Sequence, residues 1–379
     1  WNSVSLTWIP FLMGDNSDKG AWLMKGNLAT SLPGNFIGTT DNQSLLFKIN
    51  NLNAGFLGIN GNTNWGLNSG NINNNGVSNV AIGSAALSQN TNRSNLVAVG
   101  DSALFNNSLG LFNTAIGSKA LFSNTSGLAN TAHGFQSLYS NISGNDNTAN
   151  GFQSLYKNTT GFDNTALGFH SLRSNIAGSN NTAGGSNSLF SNTTGDNNTA
   201  FGFQSLLTNN TGSRNTGYGN STLLFNVSGN DNTVMGFTAM SSNTSGSGNV
   251  AIGKAALLNN TDRSNLVAIG DSALLNNGIG ATQPTQSNFN TAVGSKSLYA
   301  NTVGYGNTGV GFLSLQNNTV GFFNNAFGFS ALQNNISGKF NSAMGYGALA
   351  TNITGSGNIA NGHLALYQNE LGNSNVAIG

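Results

Sequence analysis

The sequence predicts an all-β fold, a parallel β-solenoid built from coils of 17 residues. Three observations carry that expectation. First, Asn113-Thr114-Ala115-Ile116-Gly117 returns as Asn130-Thr131-Ala132-His133-Gly134 and again as Asn147-Thr148-Ala149-Asn150-Gly151. The closing glycine keeps a 17-residue step from Gly66 to Gly270, makes one 24-residue step to Gly294, and resumes the count to Gly379. Second, with that glycine as column 0, column +4 is Leu from Leu87 to Leu366 except at Met240, and column +7 is Asn from Asn90 to Asn369. Third, a unit of 17 residues is short for a pair of helices, which takes about 33 or more. A Gly three columns after the Asn also stops any helix of usual length.

Composition bounds the functional classes. The chain has 379 residues, of which 6% are charged, with a net charge of +1. That balance argues against a nucleic-acid footprint or an anionic membrane surface as partner. No apolar run is long enough to span a bilayer, so no membrane insertion is expected. Cysteine is absent, which removes disulfides and thiolate metal sites. Only three prolines interrupt the supply of backbone donors. Trp1 at one end and a motif glycine at the other read as cuts in a longer chain.

Taken in order, residues 1–20 show no period and read as an irregular lead-in. Residues 21–65 read as a small N-terminal β cap, which a solenoid needs to cover its first open ladder. Ser44–Ile49 and Ala54–Gly58 are its strand candidates, and Asp41-Asn42 and Asn50-Asn51 suit turns. Residues 66–379 form the solenoid, with a protruding loop expected at Ile279–Ser287.

Within a coil, column −2 is Ala in most copies and column −3 is usually Thr or Val, whereas column −1 varies through Ile116, His133, Asn150, Leu167, Gly184 and Phe201. A column that accepts such different volumes is not a packed interior site. Alternation along a short strand then turns column −2 inward and columns −3 and −1 outward or toward another subunit. The expected core is the column of Leu87, Leu104, Leu121, Leu138, Leu155, Leu172, Leu189, Leu206, Leu223, Met240, Leu257, Leu274, Leu298, Leu315, Leu332, Leu349 and Leu366. The expected corner ladder is Asn107, Asn124, Asn141, Asn158, Asn175, Asn192 and Asn209, whose amides can bond between coils. Asn at the corner suits a left-handed backbone, and the Gly at column +10 suits positive φ or a close approach. Coils stacked about 4.8 Å apart make a rod of roughly 85–90 Å. One Leu contributes about 1.5–3 kcal/mol on burial, against about 1–2 kcal/mol to order each residue. A single coil therefore cannot stand alone, and a further buried surface, supplied most simply by winding as a homotrimer, is expected.

Two blocks depart together. Residues 79–104 return nearly letter for letter at 249–274, with Arg93 and Arg263 replacing the column +10 Gly and Leu96 and Leu266 replacing a column −4 Asn. Asp101 and Asp271 follow the next motif glycine, so Arg93–Asp101 and Arg263–Asp271 are expected as weak surface pairs.

The phrase Asn-Val-Ala-Ile-Gly at 79–83 and 249–253, followed by x-x-Ala-Leu, resembles the head repeat of trimeric autotransporter adhesins. The longer phrase at 198–206 resembles repeats of bacterial surface fibres and phage tail fibres, and 35–50 resembles the module that precedes such repeats. The resemblance implies a left-handed β-roll wound in threes. It also implies a role as spacer and adhesin on a bacterial surface, with the chain itself as first partner and surface glycans or other cells as further ones. A phage tail-fibre shaft reading host glycans, placed on a virion, is the alternative. An ice-binding solenoid using the column −3 threonines is a third reading.

Catalytic and metal chemistry is not suggested. His133, His170 and His363 fall in three different columns and read as exposed, neutral side chains. The Asp in Gly144-Asn145-Asp146-Asn147 and Gly229-Asn230-Asp231-Asn232 does not recur in successive turns, as a calcium roll would need. No nucleophile–base set or paired carboxylates appear, so no enzyme and no cofactor are expected. Asn-x-Ser/Thr triplets such as Asn124-Thr125-Ser126 are explained by the corner column without invoking glycosylation.

Overall fold

A computed structural model describes residues 37–70 and 75–379, and the lead-in at 1–20 lies outside the described residues. Strand β1 (Leu45–Ile49) and β2 (Leu52–Leu57) form an antiparallel hairpin. Its two-residue turn, Asn50-Asn51, has φ of 48° and 61°, the positive values a tight hairpin turn demands. β2 then pairs antiparallel with β3 (Thr63–Trp65), and β3 pairs in parallel with β4 (Val80–Ile82). From there every coil adds one three-residue strand at columns −3 to −1, ending with β21 (Val376–Ile378). No helix occurs among the described residues.

Register is one to one. Thr114 faces Thr131, Ala115 faces Ala132 and Ile116 faces His133, and the 24-residue step still sets Ala268 opposite Ala292. The insertion therefore leaves the stack undisturbed. Outside the strands the backbone also bonds to both neighbouring coils. Lys119 N–H donates to the Asp101 carbonyl of the preceding coil at 2.8 Å, and Leu121 N–H donates to the Ser137 carbonyl of the following coil at 3.0 Å. Pairing thus runs around much of the perimeter, so short strands suffice.

The interior is one line of small and medium side chains. The core column from Leu87 to Leu349, Met240 included, is at most 1% exposed, and Leu366 in the last complete coil is partly buried. Column −2 alanines such as Ala115 and Ala166 fill the space beside it, with Ala120 or Ser137 at column +3.

Backbone conformation departs from expectation at the corners. The ladder asparagines do not take left-handed φ; the leucines do, with φ of 51° at Leu121 and 49° at Leu189. Columns +2 and −5 are left-handed too, as at Lys119 and Phe112. A left-handed non-glycine residue costs about 1–2 kcal/mol. Full burial of the Leu side chain offsets that, and the turned backbone is what aims it at the axis. The column +10 glycines, for their part, are there for proximity. A Cβ on Gly178 would sit 2.5 Å from the Gly195 carbonyl oxygen and 2.6 Å from Asn175 Oδ1.

Two asparagine ladders meet at that close approach. In the first, Asn124 Nδ2 donates to Asn107 Oδ1, and the pattern repeats through Asn141, Asn158, Asn175, Asn192 and Asn209, each link at 2.8 Å. The second lies at column −4, where Asn147 Nδ2 donates to Asn130 Oδ1 at 3.0 Å and Asn164 Nδ2 to Asn147 Oδ1 at 3.1 Å. The column +10 carbonyl joins them. Gly178 O accepts from Asn175 Nδ2 at 2.8 Å and from Asn164 Nδ2 at 2.9 Å. These asparagines are fully buried, so each lost partner leaves a polar group without water.

Asn175→Ala is expected to destabilise the rod by more than about 2 kcal/mol, because it orphans groups on both neighbouring coils. Asn317→Ala removes an exposed amide from the Asn317–Asn334 bond and is expected to stay within about 0.5 kcal/mol. Urea titrations of the two variants give the comparison.

Candidate functional site

Apart from the partly buried Leu366, the core and ladder residues are interior, so whatever this rod contacts must be read from its outer columns. Columns −3 and −1 face outward along the parallel strands and are half-buried to exposed in the single chain, as at Ile116, Leu167, Tyr218 and Met235. Column +1 carries Phe135, Phe152, Phe169, Phe203 and Phe237, each 42–55% exposed. In parts of the rod the two columns change character together, though Val310 stands beside Phe312 and Tyr218 beside Asn220. In the blocks with Ile82, Val99 and Ile116, and with Ile252, Ile269 and Val293, column +1 is Ser, Asp or Lys. Beside His133 and Asn150 it is Phe.

One coil-to-coil spacing brings like rings together. Phe135, Phe152 and Phe169 stack with centroids 5.3 and 5.4 Å apart, and Phe312, Phe329, Tyr346 and His363 form a second such column. Column +5 adds a third, Phe105–Phe122–Tyr139–Tyr156, continued by the Arg173 guanidinium between Tyr156 and Phe190. Because the rings stack along the axis, neighbours cover their faces and the outside meets their edges. Inside these runs there is no free ring face on which a sugar could lie.

His170 is half-buried rather than exposed, against expectation, whereas His133 and His363 are exposed. The Arg173 Nε–H donates to Gln153 Oε1 at 3.0 Å, and His170 Nε2 lies 3.1 Å from the same oxygen. An amide oxygen only accepts, so Nε2 carries the proton in this arrangement. Burial first, and the Arg173 charge second, hold the His170 pKa below its usual 6.5.

The expected Arg–Asp pairs are not formed. Arg93 Nε instead donates to the Ser108 carbonyl at 3.4 Å. Arg263 is 8% exposed beneath the inserted loop, where its Nη atoms donate to the carbonyls of Ala281 at 3.2 Å and Gln283 at 3.1 Å. Its Nε is 3.3 Å from Asp262 Oδ1, an ion-pair distance without hydrogen-bond geometry. With Arg in place of Gly, the column +10 carbonyl keeps its role. Arg263 O still accepts from Asn249 and Asn260, at 3.0 and 3.1 Å. In the lengthened coil Ser287 takes this place, its carbonyl accepting from Asn277 and Asn290.

Arg214 and Asp231 form a bidentate pair at 2.6 and 2.9 Å that sequence reasoning missed. Both are exposed, so the pair adds little stability. Asp231 thereby has its carboxylate held below the usual range by the Arg214 hydrogen bond. Among the described residues no three His, Cys, Asp or Glu side chains gather as metal ligands. The triplet asparagines at column +7, Asn124 and Asn141 among them, are fully buried and closed to modification in the folded rod.

Comparison with known families finds no matching family model, and comparison with characterised proteins finds no relative.

The His170 ring is expected to titrate below pH 6.5 in an NMR pH series. Arg173→Ala should raise the midpoint only part of the way, since burial is the larger cause. A depressed folded pKa means that this contribution to stability is intact above pH 6.5 and is lost as pH falls through the folded value.

Proposed function

We propose that this chain is the structural shaft or head of an extracellular, homotrimeric fibre that acts as a spacer and adhesin on a bacterial surface. The observation that carries the reading is the long outer face of unpartnered apolar side chains on a nearly uncharged rod. Ile82, Ile116, Leu167, Met235, Phe327 and Met344 at column −1 are 40–53% exposed in one chain. Rows of this length on a monomer mark a surface that another molecule covers. Identical copies aligned in register offer each other the same rows, and the face carries few charges to oppose the match. A left-handed winding, as in the adhesin heads that the Asn-Val-Ala-Ile-Gly phrase resembles, belongs to the same proposal. So does a capping role for the β1–β2 hairpin, which pairs with the edge of the first coil.

A rod of this kind acts mechanically. Stacked coils fix distance and direction, and the outer columns can vary without disturbing the ladders. That division of labour suits a spacer carrying contacts along its length. The ice-binding reading draws no support from the geometry: the column −3 threonines form one row, and its partner row two residues on mixes Ile116, His133, Asn150 and Leu167.

Light scattering on the purified chain is expected to give the mass of three chains, and a double substitution of Ile116 and Phe152 to Glu is expected to lower it. A wild-type chain that stays monomeric at micromolar concentration would contradict the proposal.

A further inference from the structure

The 17-residue step is broken once among the described residues, between Gly270 and Gly294, and what the insertion does to the surface is specific. It folds back on itself, with Gln286 Oε1 accepting from the backbone of Thr282 at 2.8 Å and of Gln283 at 3.0 Å. Arg263 anchors it from beneath. Its far side closes one end of a groove of about 530 Å³ that runs along the rod axis over the next coils.

The groove's chemistry is one-sided. Val303 and Val320 line it with C–H surface. Tyr305 and Phe322 stand along it, stacked at 4.9 Å, so that each covers one face of the other. The Lys339 ammonium sits 4.7 Å from the centre of the Phe322 ring, held over the end of that stack. Ser337 contributes a hydroxyl. The Ser356 hydroxyl already accepts from Lys339 N–H at 3.1 Å and donates to the Thr354 carbonyl at 3.3 Å, so it offers only a remaining acceptor lone pair. Gln286, whose oxygen is engaged within the loop, contributes its amide nitrogen. The lining contains one ammonium and no carboxylate. The polar side chains sit at its two ends, Gln286 at one and Ser337, Lys339, Thr354 and Ser356 at the other, with the valines and rings between them.

We propose that this groove binds a short acidic oligosaccharide, with a sugar carboxylate at Lys339 and ring hydroxyls on Gln286, Ser337 and Ser356. A pyranose brings its carboxylate and hydroxyls on a rigid frame and loses little freedom on binding. A flexible acidic peptide would have to order its backbone for a single exposed cation, which supplies too little to offset that cost. The proposal deepens the adhesin reading and rests on it for the choice of a saccharide. Arg93, at the same column as Arg263, has no loop above it and donates to Ser108 instead, so the repeated block alone does not create the site.

The test is calorimetric titration of the full chain with a galacturonate trisaccharide, its methyl ester and a hexaglutamate peptide. The wild type should bind the trisaccharide, and the ester and the peptide should bind at least tenfold more weakly. Lys339→Ser should lose at least tenfold, Lys339→Arg should retain most of the affinity, and Lys157→Ser, at another exposed lysine, should change nothing. Undiminished binding by Lys339→Ser, equal binding of the ester, or equal binding of the peptide would each overturn the proposal. The assembly mass measured on the same samples separates the two readings. Lost binding at a three-chain mass in Lys339→Ser supports the site with the fibre intact. Failure of a three-chain wild type to bind the trisaccharide overturns the site alone.

Discussion

At column +10 of most coils one backbone carbonyl accepts from two buried asparagine side chains, and the architecture is built outward from that contact; where Leu96 replaces the column −4 Asn, Gly110 O accepts from Asn107 alone. Gly178 O receives Asn175 and Asn164, which in turn bond to Asn158 and Asn147 of the preceding coil. The carbonyl therefore ties both amide columns to each other and to the backbone. A Cβ on most column +10 glycines would meet the next coil's carbonyl, which explains why Gly is usual there, while Arg93 and Arg263 keep the junction through their own carbonyls. All the Nδ2 donors of the two ladders point toward preceding coils, so successive amide dipoles align and each link polarises the next.

The ladders also account for the backbone strain. A coil of 17 residues must turn sharply to bring both asparagines and the leucine inward, and it does so with left-handed residues at columns +2, +4 and −5. Placing Leu in that conformation is unfavourable by itself. It becomes favourable only when coils on either side bury the side chain and satisfy the amides. Local strain against interfacial gain is the arrangement expected of a quasi-one-dimensional fold, in which neighbours stabilise what a single unit cannot hold. It also frees the exterior: columns −1 and +1 pass from β-branched and charged to aromatic without a change in register.

How far the sequence disclosed this depends on what kind of fact is asked for. Periodicity located the strands to within a residue or two, since Thr114–Ile116 and its equivalents were marked by the alternation of an invariant small residue with variable ones. The leucine column was legible as interior because close packing tolerates little substitution, and the column +7 asparagines were legible as a ladder between coils, though at a corner rather than in the interior. Conformation was not legible. Ordinary preference assigns positive φ to Asn and Gly, whereas here the repeat imposes it on Leu121 and its equivalents. The second ladder was overlooked although Asn113, Asn130 and Asn147 recur in every coil except those of Leu96 and Leu266. Beside a strand an Asn reads as a turn residue, and only the geometry turns it inward. Arg93–Asp101 failed for a related reason: residues that change together mark a shared block, and the contacts Arg93 and Arg263 make are with carbonyls, which leave no signature in side-chain identity. The insertion was recognised by its length, but the groove it closes depends on Tyr305, Phe322 and Lys339 one to three coils further on.

The ladder bonds themselves are open to direct measurement. In a chain labelled with ¹⁵N at asparagine side chains, hydrogen exchange followed by NMR reports each Nδ2H₂ group. The buried amides of Asn124 to Asn209, and those of the column −4 series, should exchange only as slowly as the core backbone, while exposed amides such as Asn317 exchange at solvent rates. If the amides of both columns exchange as fast as the exposed ones, the coils are not joined in this way and the account fails.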